Sequence, residues 1–170
     1  WSIIKKIIRT LTIIKKSFSK FSIELYSNKK IEKYCLSIQE EFNIDVNLLL
    51  FCIWMALEKK IILQKRDFEV LTSLTIKWRI SIVEKLRSAR LMLKKLKKDE
   101  FTDIYESLKR LEISSEFIEH NIIIKFFLEK NRFDVSYLPA EEICDFNLRN
   151  YFESLNIDNI NYKRFINLLF

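Results

Sequence analysis

The chain has 170 residues, 49% hydrophobic and 31% charged, which is enough for one domain with a real core, yet it contains no glycine, one proline and one histidine. Phosphate-cradling loops, dinucleotide-binding turns and nucleophile elbows need backbone that a side chain would block, so the lack of glycine excludes the P-loop, GxGxxG and GxSxG together and disfavours tight β-hairpins. The net charge of +7 comes almost wholly from Lys5, Lys6, Arg9, Lys15, Lys16 and Lys20, so the rest is near neutral and nucleic acid is not an expected partner.

Residues 1–17 form a basic amphipathic segment. Ile3, Ile4, Ile7, Ile8, Leu11 and Ile14 share one helical face, opposite Lys5, Arg9, Thr12 and Lys16. Three readings stay open for it: an anchor on an anionic membrane surface, an organellar presequence, or local packing at an extended start. Residues 18–170 are expected to be one helical domain.

Within that domain, 17–27 predicts a short helix bearing Phe18, Phe21, Leu25 and Tyr26, with Asn28 supplying the left-handed residue that ends it. Ile31 to Phe42 predicts a second helix, ended by Asn43. Asp45 reads as the N-cap of Val46 to Lys59, which is apolar almost all round and so should be central. Its longest apolar run, Leu48 to Leu57, is too short to cross a bilayer. Residues 60–66 connect to a short helix capped by Asp67 and reaching about Leu74.

A long antiparallel hairpin is expected over about 76–130. Ile82, Leu86, Ala89, Leu93 and Leu96 form one heptad-like stripe, Asp99 reads as an N-cap, and Phe101, Ile104, Leu108, Leu111, Ser115, Ile118 and Ile122 form the second stripe. Packed stripe on stripe, Leu96 faces Phe101, Leu93 faces Ile104 and Leu86 faces Leu111. Residues 131–138 read as a loop, Pro139 as the first residue of a helix to Asn156, and a last helix runs from about Asn159 into an apolar C-terminus that docks on the core. The fold class is therefore all-α: a single bundle of six to eight helices around 46–59.

The residues Phe21, Ser22, Leu25 and Tyr26, then Cys35, Leu36 and Gln39, then Asp45 to Leu50 with Trp54 form an ordered pattern. It continues through Trp78, Arg79, Val83, Leu86, Arg87, Arg90 and Leu93, then Glu112, Glu116 and Glu119, then Asn147, Leu148 and Tyr151. This pattern resembles an uncharacterised proteobacterial domain-of-unknown-function family of small helical proteins, over roughly 18–156. Ser19 stands where that family has Trp, Lys85 where it has Pro, and His120 where it has Gln. The resemblance implies a helical fold and brings no activity with it.

Chemistry is sparse. Glu112, Glu116 and Glu119 project from one helical face with His120 beside them, the side-chain types that bind metals inside helical bundles. A di-metal site of that kind needs Glu-x-x-His from two helices, and one histidine cannot supply it. The competing reading is an ion-pair seam with Arg79, Arg87 and Arg90, placing Arg79 near Glu116 or Glu119 and Arg90 near Glu112; exposed pairs add about 0–1 kcal/mol each. Asn47, on an apolar helix, should be hydrogen-bonded inside the bundle. Trp54 and Trp78 read as core anchors whose indole N–H groups reach Asp45 or Asn47. His120 has no nucleophile placed against it. Cys35, Cys52 and Cys144 form no CxxC and are expected to be reduced, buried thiols in a cytoplasmic setting. No catalytic residue, metal or cofactor is expected.

The expected function is a non-enzymatic interaction, regulatory or assembly role with a protein partner. One alternative is a helical enzyme or ligand- or metal-binding bundle using the acidic face of 100–129. Another is a protein held on a membrane surface by residues 3–16.

Overall fold

A computed structural model of the chain describes residues 17–96, 99–130 and 135–170, which form one all-helical domain; the amphipathic segment at 3–16 lies outside them. Helix α1 covers 17–26. Helix α2, Lys29–Phe42, begins at Asn28, whose extended backbone (φ −71°) and side chain cap the Lys30 N–H at 3.0 Å. Asn28 is thus an N-cap and not the left-handed residue expected there. The left-handed positions are Asn43, Lys60 and Asn156, with φ of 53°, 56° and 55°. Without glycine, asparagine takes two of these three sites because its short side chain costs least in that region.

Helix α3, Val46–Trp54, is capped as expected: Asp45 Oδ1 accepts the N–H groups of Asn47 at 2.9 Å and Leu48 at 3.4 Å. Every residue from Leu48 to Ala56 is buried, so α3 is the axis around which the others pack. A π-helical turn, Met55–Lys59, completes the expected 46–59 span and closes at Lys60.

Helix α4, Lys65–Trp78, starts with a capping box in which Gln64 is the cap and Asp67 the third helical residue, so Asp67 is not the cap itself. It does not stop near Leu74. It passes through a second π-helical turn, Arg79–Val83, into α5, Glu84–Leu96. The rising arm of the hairpin is therefore continuous with α4. A 3-10 turn, Asp99–Phe101, precedes the 28-residue α6, Thr102–Glu129, and Phe101 rather than Asp99 occupies its N-cap. Helix α7, Ala140–Ser154, follows Pro139, which sits one place before the first helical residue. Helix α8, Lys163–Leu169, starts later than expected; its Phe165 and Ile166 are buried, with Phe165 stacked on Tyr34 at 4.8 Å. Phe170 itself stays exposed. The only non-helical pairing among the described residues is an isolated antiparallel bridge between Ile61 and Val135.

The hairpin exists, but its arms are turned relative to the apolar stripes. On α6 the buried positions are Glu112, Ser115, Glu119, His120, Ile123 and Ile124, with Tyr105 and Leu108 half-buried. Ile104 (55% exposed), Leu111 (55%) and Ile118 (44%) stay in solvent, as do Ile82 (37%) on the π-helical turn and Leu96 (51%) on α5. The displacement is partial: from the expected stripes Leu86, Leu93, Leu108 and Ile122 stay half-buried and Ser115 buried, while Val83, Glu112 and Glu119 take the buried places beside Ile82, Leu111 and Ile118. The cause is polar: rotating α6 to bury Leu111 would pull Glu112 and Glu119 away from the partners described next. The charge of Glu112 and the buried polar carboxyl of Glu119 cost more to strand than the stripe costs to expose.

Candidate functional site

The chemistry-bearing residues gather along one side of α6 in two connected groups. The first is an ion-pair seam. Arg87 donates from Nε to Glu112 Oε1 at 2.8 Å and from Nη2 to Glu116 Oε1 at 2.7 Å. Arg90 donates from Nε to Glu112 Oε2 and stacks its guanidinium over Tyr105 at 6.0 Å. Glu112 is nearly buried, so these are not the exposed pairs expected from sequence. Burial raises the Glu112 pKa, but hydrogen bonds from Arg90 and Arg87 outweigh it and the net shift is down. Glu116, with one arginine contact against strong desolvation, is raised. Arg79 is not part of this seam: it pairs with Glu84 at 3.3 Å and donates to the Asn43 carbonyl at 3.4 Å. The π-helical turn that begins at Arg79 brings its guanidinium to the α2–α3 corner, where it makes no ion pair with Glu116 or Glu119 but its charge still acts on Glu119, favouring that group's ionised form.

The second group is a hydrogen-bonded relay across α1, α3 and α6. Asn47 Nδ2 donates to Glu119 Oε2 at 2.8 Å, which leaves Asn47 Oδ1 to accept from His120 Nε2 at 3.0 Å. His120 Nδ1 is then the acceptor for the Ser19 hydroxyl at 3.0 Å. At the far end, Glu119 Oε1 and Asp45 Oδ2 are buried and otherwise unpartnered. One proton held between them satisfies both. Burial and the neighbouring Asp45 carboxylate push the Glu119 pKa far above the carboxylate range, so Glu119 is a protonated donor at neutral pH. Burial lowers His120 to about 4, so it is neutral. Tyr151 locks that same end: its hydroxyl accepts the Asp45 N–H at 3.0 Å and donates to the Asp45 carbonyl at 2.9 Å.

Asn47 and His120 thus meet as partners, and Asn47 makes the inter-helix bonds expected of it. The two tryptophans do not reach them. The Trp54 indole is fully buried among Phe18, Phe51 and Phe127, with its N–H unpartnered. Trp78 is half-buried and donates to the Ser115 carbonyl at 2.9 Å. Ser19 was not singled out from sequence as a contact of His120, yet these two departures from the family pattern are bonded to each other. Asn147 is a second polar residue whose role only the packing reveals. Fully buried, it accepts the Leu63 N–H at 2.7 Å and donates to the carbonyls of Cys52 and Ile61 at 3.1 and 3.0 Å, clipping the 60–64 connection to α7. A lone amide on the apolar face of Ile143, Leu148 and Tyr151 was the available signal.

Ser19, His120 and Asn47 have the order of a nucleophile, a base and an orienting group. The base is mismatched: an imidazole whose conjugate acid has a pKa of about 4 takes a serine proton poorly at neutral pH. Glu112 and Glu116 are held by guanidinium groups, and Glu119 and both His120 nitrogens are already bonded. Among the described residues, no group of three or more His, Cys, Asp or Glu side chains is placed to hold a metal ion. Cys35, Cys52 and Cys144 are buried, free thiols, with burial raising Cys35 and Cys144 to about 12. No helix among the described residues is long and apolar enough to cross a membrane.

A family model matches residues 17–123, well over half the chain, and carries the description "Protein of unknown function (DUF2390)". No curated protein and no solved structure matches the chain.

Proposed function

We propose, from the premise that this chain belongs to the DUF2390 family of proteins of unknown function, that it is a non-enzymatic interaction or assembly protein working through the α5–α6 hairpin. The observation that carries this reading is the partly polar seam of the hairpin: Arg87, Arg90, Glu112 and Glu116 pair between its arms, while Ile82, Leu96, Ile104, Leu111 and Ile118 are exposed. A row of large aliphatic side chains in solvent, aligned along two rigid helices, is the signature of a surface that is covered in use. The relay fits the same role. The bonds from Ser19 through His120 and Asn47 to Glu119 tie α1, α3 and α6 together, so they fix the rotation of α6 and with it the direction in which the aliphatic row points.

The test is affinity capture from the native cell with the tagged wild type and a Leu111→Glu variant. Leu111 is more than half exposed, so the variant should fold normally. A protein retained by the wild type and lost by the variant supports the reading. Identical recoveries end it.

A further inference from the structure

Away from the hairpin, an open groove of about 340 Å³ lies between the first half of α7 and α8. Its apolar wall is Phe146, 38% exposed, with the buried Ile166 behind it. Three carboxylates line it: Glu141, Glu142 and Asp145. Asp145 is already held by Arg149 at 2.6 Å, but Glu141 and Glu142 are exposed and make no ion pair with any described residue. Lys163 lines the groove too, and with it counted the lining stays negative. A cation entering here finds two carboxylates whose existing bonds it does not have to break.

The chain carries a segment of the complementary character. Residues 1–16 hold Lys5, Lys6, Arg9, Lys15 and Lys16 and no acid, with Ile3, Ile4, Ile7 and Ile8 interleaved among the first three cations. The place where this segment joins the domain is fixed by α1. Phe18 packs on Phe51 and Trp54 in the C-terminal half of α3. The Lys59 ammonium sits over the same Trp54 ring at 4.7 Å. The next residues lead to α7: the Lys60 carbonyl accepts the Ser136 N–H, and Ile61 bridges to Val135. Asn147 donates to the Cys52 carbonyl, which ties the first half of α7 to that same half of α3. The start of α1 and the groove therefore share one end of the bundle.

The reach is short. Adjacent residues of a helix point about 100° apart, so Phe51 faces α1 and Cys52 faces α7 across α3. Two interhelical spacings separate α1 from α7, at most about 20 Å. Six or seven extended residues, at about 3.3 Å each, span that distance. Residues 10–16 suffice for the crossing and bring 3–9 to the groove. We propose that residues 3–9 of the chain's own amphipathic segment occupy this groove as an intramolecular clasp. Isoleucine side chains lie against Phe146 and Ile166, and Lys5, Lys6 and Arg9 neutralise Glu141 and Glu142. The groove has room for about two groups the size of a benzene ring, so it seats a pair of isoleucines and not the whole segment. The clasp withholds the segment's cations and its isoleucine row from any other surface for as long as it is closed.

The experiment is hydrogen exchange read by mass spectrometry on peptides covering 1–16 of the full chain, with circular dichroism of each variant. Glu141→Lys combined with Glu142→Lys removes the acidic wall, and Phe146→Ser removes the apolar one. All three positions are exposed, so both variants should keep the helical spectrum. Exchange over 3–9 should be about tenfold or more slower in the wild type than in either variant. Added salt should speed it in the wild type. Introducing Lys5→Glu, Lys6→Glu and Arg9→Glu into the double glutamate variant exchanges the charges and should restore the protection. Equal exchange over 3–9 in the wild type and both groove variants overturns the proposal. Protection that appears only at high chain concentration also overturns it, because the segment then sits in another copy. Leu111→Glu should leave the protection unchanged, so the clasp and the hairpin reading stand or fall separately.

Discussion

The sharpest test of the relay is Glu119→Gln. In the wild type Glu119 accepts from Asn47 Nδ2 through Oε2 and shares a proton with Asp45 through Oε1. A glutamine reproduces both bonds, accepting with its carbonyl oxygen and donating with its amide, and it fills the same volume. At pH 7 the substitution should cost less than about 1 kcal/mol, the worth of one imperfect hydrogen bond. Glu119→Ala removes both bonds, strands Asn47 and Asp45 and leaves a hole, for a cost of about 3–5 kcal/mol. The pH dependence separates the two further. Glu119 is raised to about 9, so from the ordinary carboxylate range up to there the native state holds a proton that the unfolded chain has released. Its stabilisation is fully present below the unfolded pKa and is lost as pH rises through the folded one. Urea unfolding at pH 7 and above pH 9 should show the wild type losing stability on the alkaline side and Glu119→Gln losing less. If the glutamine variant is strongly destabilised at pH 7, or if the two curves run parallel, Glu119 is a carboxylate and the relay is wrongly drawn.

The acid side should behave oppositely. His120 is depressed to about 4, so its contribution is fully present above its unfolded pKa near 6.5 and is lost as pH falls through 4; His120→Gln should flatten that limb in an acid melting series. Arg87→Ala removes the bridge between Glu112 and Glu116 and should cost about 2–4 kcal/mol, below the full penalty for a stranded charge because Arg90 still holds Glu112. In double-mutant cycles the Arg87–Glu112 coupling should exceed about 1 kcal/mol and the Arg79–Glu119 coupling should fall well below it. Asn147→Ala leaves the Leu63 N–H and the Cys52 and Ile61 carbonyls without their partner and should cost about 2–4 kcal/mol by denaturant unfolding. Lys60→Gly relieves a left-handed residue at φ 56° and should raise stability by about 0.5–1 kcal/mol, read as a higher melting temperature.

From the amino-acid order alone the helical class, the central place of 46–59, the Asp45 cap, the end of α2 at Asn43 and the hairpin can all be read. Each rests on interactions within a few residues: a cap bonds two or three positions on, and a helical face repeats every turn. The acidic group and its arginines were legible as types, and Arg87, Arg90, Glu112 and Glu116 do meet. The rotation of each arm about its own axis was not legible. Leu111 and Glu112 are adjacent, and local pattern favours burying the leucine. The outcome depends on Arg87 and Arg90 from α5 and on Asn47 and Asp45 from α3. Those partners lie more than twenty residues away. Their desolvated charges and amides outweigh the aliphatic stripe only once packing brings them together, which is why tertiary structure alone sets which face of the hairpin meets solvent.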